Sequence, residues 1–357
     1  MSVHQILVLN PGSTSTKVAV YSGEASIFLE ILRHSDSELG SFVRVMDQEN
    51  FRLRLIKQTL DQHGFRLSSF DAVIGRGGLM RPLSGGVYAI NQAMLEDLRS
   101  CSFGTHASNL GAILAYGLAV AVRLPSFIAD PVVVDELASL ARFSGHPDIS
   151  RRSIFHALNH KAMARRCALE LGTPYDQLNF IVAHLGGGIS VGAHKQGQVV
   201  DVNNALDGEG PFSPERSGGL PLAQAVDWCF AKGATKQDIR QRIIGSGGLR
   251  AYLGTADGLE INKRIVEGDQ EAQTVMQAMA YQVAKEIGAM AVVLQGRIDA
   301  IIFTGGLAHD PWLMEEIQER VKFLGPIFVY PGEDEMLALA QAANRALNGL
   351  VPIKVYA

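Results

Sequence analysis

Cysteine, net charge and long apolar runs are scarce in this sequence, and each shortage excludes something. The three cysteines, Cys101, Cys167 and Cys229, are far apart, odd in number and without a CxxC spacing. A disulfide framework is therefore not expected, and free thiols in a reducing cytoplasm are. The formal net charge is only -4, so no basic field exists to attract nucleic acid or an anionic membrane surface. The longest near-uncharged stretch, Gly111–Val122, is closed by Arg123 too early for a membrane span. The opening MSVHQILVLN has neither the charged lead nor the small-residue cleavage site of a signal peptide. Proline-rich and low-complexity linkers are missing as well. What remains is 357 residues, 47% hydrophobic and 19% charged, long enough that one core stops growing and two domains are expected. The expectation is a soluble, cytoplasmic, two-domain protein with small-molecule ligands.

A Walker A loop is also missing, although one is nearly spelled. Residues 5–23 read QILVLNPGSTSTKVAVYSG; Gly12 and Lys17 have the spacing, but Thr16 stands where the second glycine belongs. VAVYSG beyond Lys17 is short and β-branched, so the segment reads as strand, polar turn, strand. In such a hairpin, backbone amides with the hydroxyls of Ser13, Thr14 and Ser15 can converge on phosphate oxygens without a helix terminus. The chain does this twice. Residues 181–197 read IVAHLGGGISVGAHKQG, and a shift of 174 positions lays Gly12 on Gly186, Ala19 on Ala193 and Gly23 on Gly197. A repeat of that kind implies two similar α/β halves. A third glycine turn, AIIFTGGLAHDPWLMEEI (300–317), reads as a strand, Gly305–Gly306, and a helix whose N-terminus sits at the turn.

Paired phosphate hairpins of this type resemble the actin, hexokinase and heat-shock ATPase superfamily. Within it, the chain resembles the acetate and butyrate kinase family along nearly its whole length. The stretches that carry the resemblance are LNPGSTSTK, GRGG (75–78), THASN (105–109), FIADP (127–131), IFHALNHK (154–161), HLGGGISVG (184–192), ERSGG (215–219), FTGGLA (303–308) and YPGEDEMLALA (330–340). The implied fold is α/β: two duplicated ribonuclease H-like, actin-like ATPase domains with a nucleotide cleft between them. The first would span 1–150, with SFIADPVVV read as its last strand, joined by a C-terminal helix at about 337–357, and the second 151–336, with a long, almost apolar helix at about 270–296.

The implied reaction is reversible phosphoryl transfer from ATP to a carboxylate, which is already ionised and needs no strong base. The site must supply positive charge, donors and a metal around a loose, metaphosphate-like group. By resemblance, Arg76 and Arg216, each beside glycines, hold the carboxylate and the equatorial phosphoryl oxygens. His156 donates to the transferring phosphoryl group, His106 supports it, and Asp130 positions metal and nucleophile. The pair His156 and His160 could share one helix face, but Ala157 replaces the glutamate of HExxH, so zinc is not favoured. Ser13, Ser15, Lys17, His184, Gly186, Gly187 and Gly188 would grip phosphates, Gly305 and Gly306 the nucleoside, with Asp257 as a loosely matched addition. Asn10 and Glu335 would hold Mg²⁺.

Two departures from the acetate kinase pattern matter. Gly187 stands in place of an asparagine, leaving backbone amides to hold phosphate. Gly77 and Gly78 stand in place of valines that crowd the acyl pocket, which would leave room, beside Phe155, for a longer tail; each buried CH₂ is worth about 0.8 kcal/mol. The expected acid is thus butyrate or isobutyrate, with acetate or propionate as the alternative. A non-enzymatic actin-like scaffold or sensor is a further alternative. By resemblance the chain is a homo-oligomer, a dimer or higher.

Overall fold

The computed structural model describes residues 2–357. The strands, in chain order, are β1 (Gln5–Pro11), β2 (Ser15–Ser22), β3 (Ala25–Arg33), β4 (Ala72–Arg76), β5 (Val87–Ala89), β6 (Ser126–Ala129), β7 (Phe143–His146), β8 (Ile149–Ser150), β9 (Asn179–Leu185), β10 (Ile189–Lys195), β11 (Gln198–Val202), β12 (Ala300–Gly305), β13 (Ile327–Pro331) and β14 (Ile353–Val355). The chain forms two compact units, Met1–Val134 with Asp334–Ala357, and Asp135–Glu333. The first unit thus ends before Arg151, where the sequence reading divides the chain.

The first unit holds a seven-stranded sheet in the order β14-β5-β6-β4-β1-β2-β3; the second holds a five-stranded sheet in the order β11-β10-β9-β12-β13. The apolar runs Ile6–Leu9 and Phe180–Ala183 are fully buried, because each lies mid-sheet and is covered on both faces. The repeat seen in sequence is kept strand for strand. β9 begins and ends 174 positions after β1, and β10 begins 174 positions after β2. In both sheets the first two pairings are antiparallel and the next two parallel. This is the duplicated actin-like α/β fold.

Registers extend the repeat further than the sequence did. Ile6 pairs with Ala72, and its counterpart Phe180 pairs with Ala300. Carrying that offset of 228 along the strands lays Gly77–Gly78 on Gly305–Gly306. The two glycine pairs thus share a place after equivalent strands, but Gly305 has φ +91° and Gly306 opens a 3₁₀ turn, which Gly77 and Gly78 do not match.

Helices cover the sheets with apolar stripes at the expected spacing. Helix Glu49–Gln62 buries Arg52, Ile56, Thr59 and Leu60. Helix Gln270–Val293 is capped by Asp269 and buries residues from Ala272 to Ala291; it stops short of the expected 296. Helix Glu335–Leu347 packs on β1, β4 and β6 of the first unit, whereas helix Ala157–Glu170 packs on β9 and β12 of the second. Two sequence expectations need correction. The strand read through SFIADPVVV ends at Ala129, because Asp130 adopts φ +39°. The C-terminal segment is a helix ending at Leu347 followed by β14, which pairs in parallel with β5.

Candidate active site

In the first unit, Arg76 closes β4. The strand end is fixed from behind by helix Asn109–Ala119, which lies so close that a Cβ on Gly75 would fall 2.1 Å from the Gly111 carbonyl oxygen. Only glycine at both positions allows this backbone-to-backbone approach. Arg76 then meets the first turn of the C-terminal helix: its Nη2 is 2.9 Å from Glu335 Oε1, and Asn10 Nδ2 donates to Glu335 Oε2 at 2.7 Å. Three residues far apart in the chain thus form one cluster. Asp334 caps that helix through Leu337 N–H, which leaves the Glu335 carboxylate for Arg76 and Asn10.

Asp130 follows β6, buried, in the left-handed region that a non-glycine residue adopts at a cost of roughly 1–3 kcal/mol. Its carboxylate accepts from Gly86 N–H at 2.7 Å and its own N–H donates to the Gly86 carbonyl, a reciprocal pair that over-determines the turn.

The tip of the first hairpin rests on a residue the sequence reading missed. Arg52 is completely buried, and its guanidinium donates to the carbonyls of Gly12, Ser13 and Ser15, to Thr16 Oγ1 and to Gln48 Oε1. Among the described residues no carboxylate pairs with it, and burial draws its pKa down to about 10, still cationic at neutral pH. Three tip carbonyls are therefore turned inward onto a positive charge. Ser13 and Lys17 are exposed and Ser15 is half-buried.

In the second unit a matching cluster surrounds the other tip. The His156 and His184 rings stack at 3.8 Å and 12°. His184 Nδ1 bonds Asn159 Oδ1 at 2.8 Å, but its buried Nε2 makes no hydrogen bond, although Glu333 Oε1 lies 3.0 Å away off the ring's N–H direction. A Cβ on Gly186 would fall 2.9 Å from that nitrogen, and one on Gly188 would fall 1.8 Å from Arg216 Nη1. Gly187 faces open space, with its carbonyl fixed by Ser213 Oγ. The Arg216 guanidinium donates to the Ala205 carbonyl; no carboxylate is within ion-pair distance of it among the described residues, and burial lowers its pKa. An open glycine tip thus carries a desolvated guanidinium and an imidazole nitrogen 3.0 Å from a carboxylate oxygen.

Other expected residues do different work. His156 is the N-cap of helix Ala157–Glu170, one residue before the helix begins, and its ring and that of His160 both bond Ser190 Oγ. Phe155 is buried edge-on against His160. His106 is exposed and bonds Ser108 Oγ. Asp257 caps helix Gly258–Val266 through Leu259 and Glu260 N–H, so its carboxylate is engaged by its own chain. The helix after Gly305–Gly306 does not start at the turn: a 3₁₀ turn, Gly306–His309, intervenes, and Asp310 caps helix Pro311–Val321. Its N-terminal amides are thereby satisfied by a carboxylate.

The glycine pair of the expected acyl pocket is corrected outright. A Cβ on Gly77 would fall 2.5 Å from Pro131 Cβ, and one on Gly78 2.5 Å from Asn109 Cα. Both directions run into protein, as at Gly305, whose Cβ would fall 2.3 Å from the Leu185 carbonyl oxygen. These glycines permit close packing and vacate no pocket.

Residues 144–341, more than half of the chain, match the family model described as Acetokinase family. The chain belongs to the acetokinase family. Membership makes it a kinase that phosphorylates a carboxyl group with ATP as co-substrate. Solved structures of similar fold include an acetate kinase from Porphyromonas gingivalis, 20% identical with TM-score 0.77, covering 97% of this chain and 100% of that one. A propionate kinase from Francisella tularensis subsp. tularensis SCHU S4 is 20% identical, with TM-score 0.73, covering 95% and 98%. An acetate kinase from Entamoeba histolytica is 18% identical, with TM-score 0.72, covering 94% and 97%. Among the described residues of this acetokinase-family chain, no helix is long and apolar enough to cross a membrane.

Proposed function

We propose that the chain transfers the γ-phosphoryl group of ATP reversibly and in line to a short-chain carboxylate, with butyrate or isobutyrate as the acid. The observation that carries this reading is the second glycine tip, open at Gly187, with the desolvated Arg216 guanidinium beside it. A buried guanidinium with no carboxylate partner is costly and suits phosphoryl oxygens, on which charge spreads in the transition state.

Arg216 would hold an equatorial oxygen; its planar fork loses little freedom on doing so. His156 would donate from the ring nitrogen not bonded to Ser190, and the amide-lined Gly186–Gly188 and Ser13–Ser15 tips would cradle the nucleotide phosphates. Lys17 would add charge at long range. Arg76 would orient the acceptor carboxylate, exchanging its bond to Glu335, and Asp130, held by Gly86, would keep that geometry, with His106 in support. Gly305 and Gly306 would border the nucleoside. The oxygen donors Asn10 and Glu335 fit Mg²⁺, which keeps several waters and takes only one or two protein carboxylates. When bound there with the nucleotide, Mg²⁺ supplies neutralisation of phosphate charge.

The choice of a four-carbon acid rests on the resemblance of the sequence motifs, not on Gly77 and Gly78. The test is hydroxylamine trapping of acyl phosphate with MgATP across acetate, propionate, butyrate, isobutyrate and valerate. A kcat/KM optimum at four carbons is expected. An acetate or propionate optimum overturns the acid and keeps the reaction. No product from any acid, with ATP still bound, overturns the reaction.

A further inference from the structure

Behind His156 lies a series of side chains that the transfer reaction itself does not use. Tyr175 Oη is 2.7 Å from His194 Nδ1; His194 Nε2 is 3.2 Å from His160 Nδ1; His160 Nε2 is 2.8 Å from Ser190 Oγ; and Ser190 Oγ is 2.9 Å from His156 Nδ1. Four hydrogen bonds join five residues without a gap. His160, Ser190 and His194 are wholly buried, while Tyr175 at the far end is half-exposed. Burial holds the pKa values of His160 and His194 well below the usual histidine range, so both rings are neutral at physiological pH.

A neutral imidazole has one N–H and one lone pair. Between the imidazoles the direction of one hydrogen bond dictates the next; at Ser190, whose oxygen can accept twice, the one hydroxyl proton has His156 Nδ1 at 2.9 Å as its acceptor. The phenol at one end is the strongest neutral donor present, and an imidazole nitrogen the strongest acceptor. We propose that Tyr175 sets the polarity of the series Tyr175–His194–His160–Ser190–His156 and thereby fixes the tautomer of His156 with its proton on Nε2. The Tyr175 hydroxyl donates to His194 Nδ1, His194 Nε2–H donates to His160 Nδ1, and His160 Nε2–H donates to Ser190 Oγ. The Ser190 hydroxyl then donates to His156 Nδ1. The His156 proton is thereby placed on Nε2. No proton is transferred along the series; the bonds only order its members, and Tyr175, His194, His160 and Ser190 are positioning residues. Their relevance to turnover rests on the reading of His156 given above.

Charged and titratable groups face the series from several elements. His184 stacks on His156 and also faces His160, with Glu333 beside its Nε2. Lys161 and Arg165 act on His194, Lys161 being itself paired with Glu136.

The test combines side-chain ¹⁵N NMR of the histidines with acyl phosphate kinetics from pH 6 to 9, on the full chain and on Tyr175→Phe and Ser190→Ala. In the unaltered protein His156, His160 and His194 are expected to carry their protons on Nε2 at pH 8. Tyr175→Phe should transfer part of the His194 proton population to Nδ1 and give His156 mixed tautomers. Ser190→Ala should release His156 alone and leave the His194 signals unchanged. In both variants kcat at pH 8 should fall about tenfold with the KM for ATP unchanged. It should recover as the pH falls towards about 6.5, where an imidazolium carries an Nε2 proton whichever tautomer it came from. A purely structural role predicts no acid recovery. A bare His156 Nε2 in the unaltered protein, or ring signals unmoved by both substitutions, overturns the proposal. If no acid is phosphorylated, the functional reading fails while the ring signals still decide the polarity.

Discussion

Placing a methyl group on Gly78 separates two accounts of the glycine pair. If the pair made room for substrate, Gly78→Ala would shorten the preferred acid and leave the fold intact. The structure gives the opposite expectation. The new Cβ would stand 2.5 Å from Asn109 Cα, 2.5 Å from Asn109 Oδ1 and 2.7 Å from Asn109 N. Two of those atoms are backbone at the start of a helix, so relief requires moving the helix. Asn109 Oδ1 also accepts from Leu79 N–H at 2.8 Å, and Asn109 Nδ2 donates to the Gly104 carbonyl. Overpacking costs about 1–3 kcal/mol, and losing one such hydrogen bond adds about 1 kcal/mol. The sum, roughly 2–4 kcal/mol, lowers Tm by about 5–15 °C for a unit of this size. The assay is a thermal melt run alongside acyl phosphate formation with acetate and butyrate. A falling Tm with an unchanged butyrate-to-acetate ratio of kcat/KM is expected. An unaltered Tm with a ratio shifted towards acetate would refute the packing argument and restore the pocket.

Further expectations concern buried charge, pH and thiols. Lys161 and Glu136 form an almost fully buried pair, with Nζ also bonded to the Gly197 carbonyl; Lys161→Met should cost about 3–5 kcal/mol in urea unfolding, because it strands the carboxylate, and a loss under 1 kcal/mol would contradict this. His160 and His194 have folded pKa values well below their unfolded ones, so below about pH 6.5 the unfolded chain binds protons that the folded chain does not. Stability should fall as pH drops through that value, by up to about 2.7 kcal/mol per pH unit for the two rings; a urea midpoint that is level from pH 7.5 to 5.5 would contradict it. Burial pushes the Cys167 thiol up to about 11, whereas Cys229 is exposed. A thiol reagent at pH 8 should label Cys229 at once and Cys167 only after unfolding; prompt labelling of Cys167 in the native protein would count against its burial.

Much of the architecture could be read from the sequence because the signals were local and repeated. The 174-residue shift between the hairpins and the apolar spacing of the long helix needed no tertiary knowledge. Other features depended on pairing partners that no local pattern reveals. Arg52 lies in FRLRLIKQTL, where it looks like Arg54 two residues on; only the helix's orientation buries one and not the other. The correspondence of Gly77–Gly78 with Gly305–Gly306 is short, Ala72, Ile74 and Leu79 matching Ala300, Ile302 and Leu307, and its offset of 228 differs from the 174 of the hairpins, so a search at the hairpin offset does not find it. Tyr175 and His194 gave no signal, since their bond arises from a 3₁₀ turn meeting β10. Among the candidate site residues, those at strand ends met others expected with them, as Asn10, Arg76 and Glu335 do. Asp257, a residue before a helix, turned out to be its cap, the commonest use of an aspartate there.

The close approach at Gly305 has a mechanical consequence. Its Cα carries no side chain, its φ is +91°, and the space a side chain would need is filled by the Leu185 backbone. Gly305 N–H and carbonyl are further tied to Gly332. The turn that would border a nucleoside and the hairpin that would grip its phosphates are therefore clamped into one stiff part. Neither can loosen without the other, so a ligand anchored at one end is gauged against a fixed ruler at the other. The distance between the two turns is therefore set by the fold and not by what binds there.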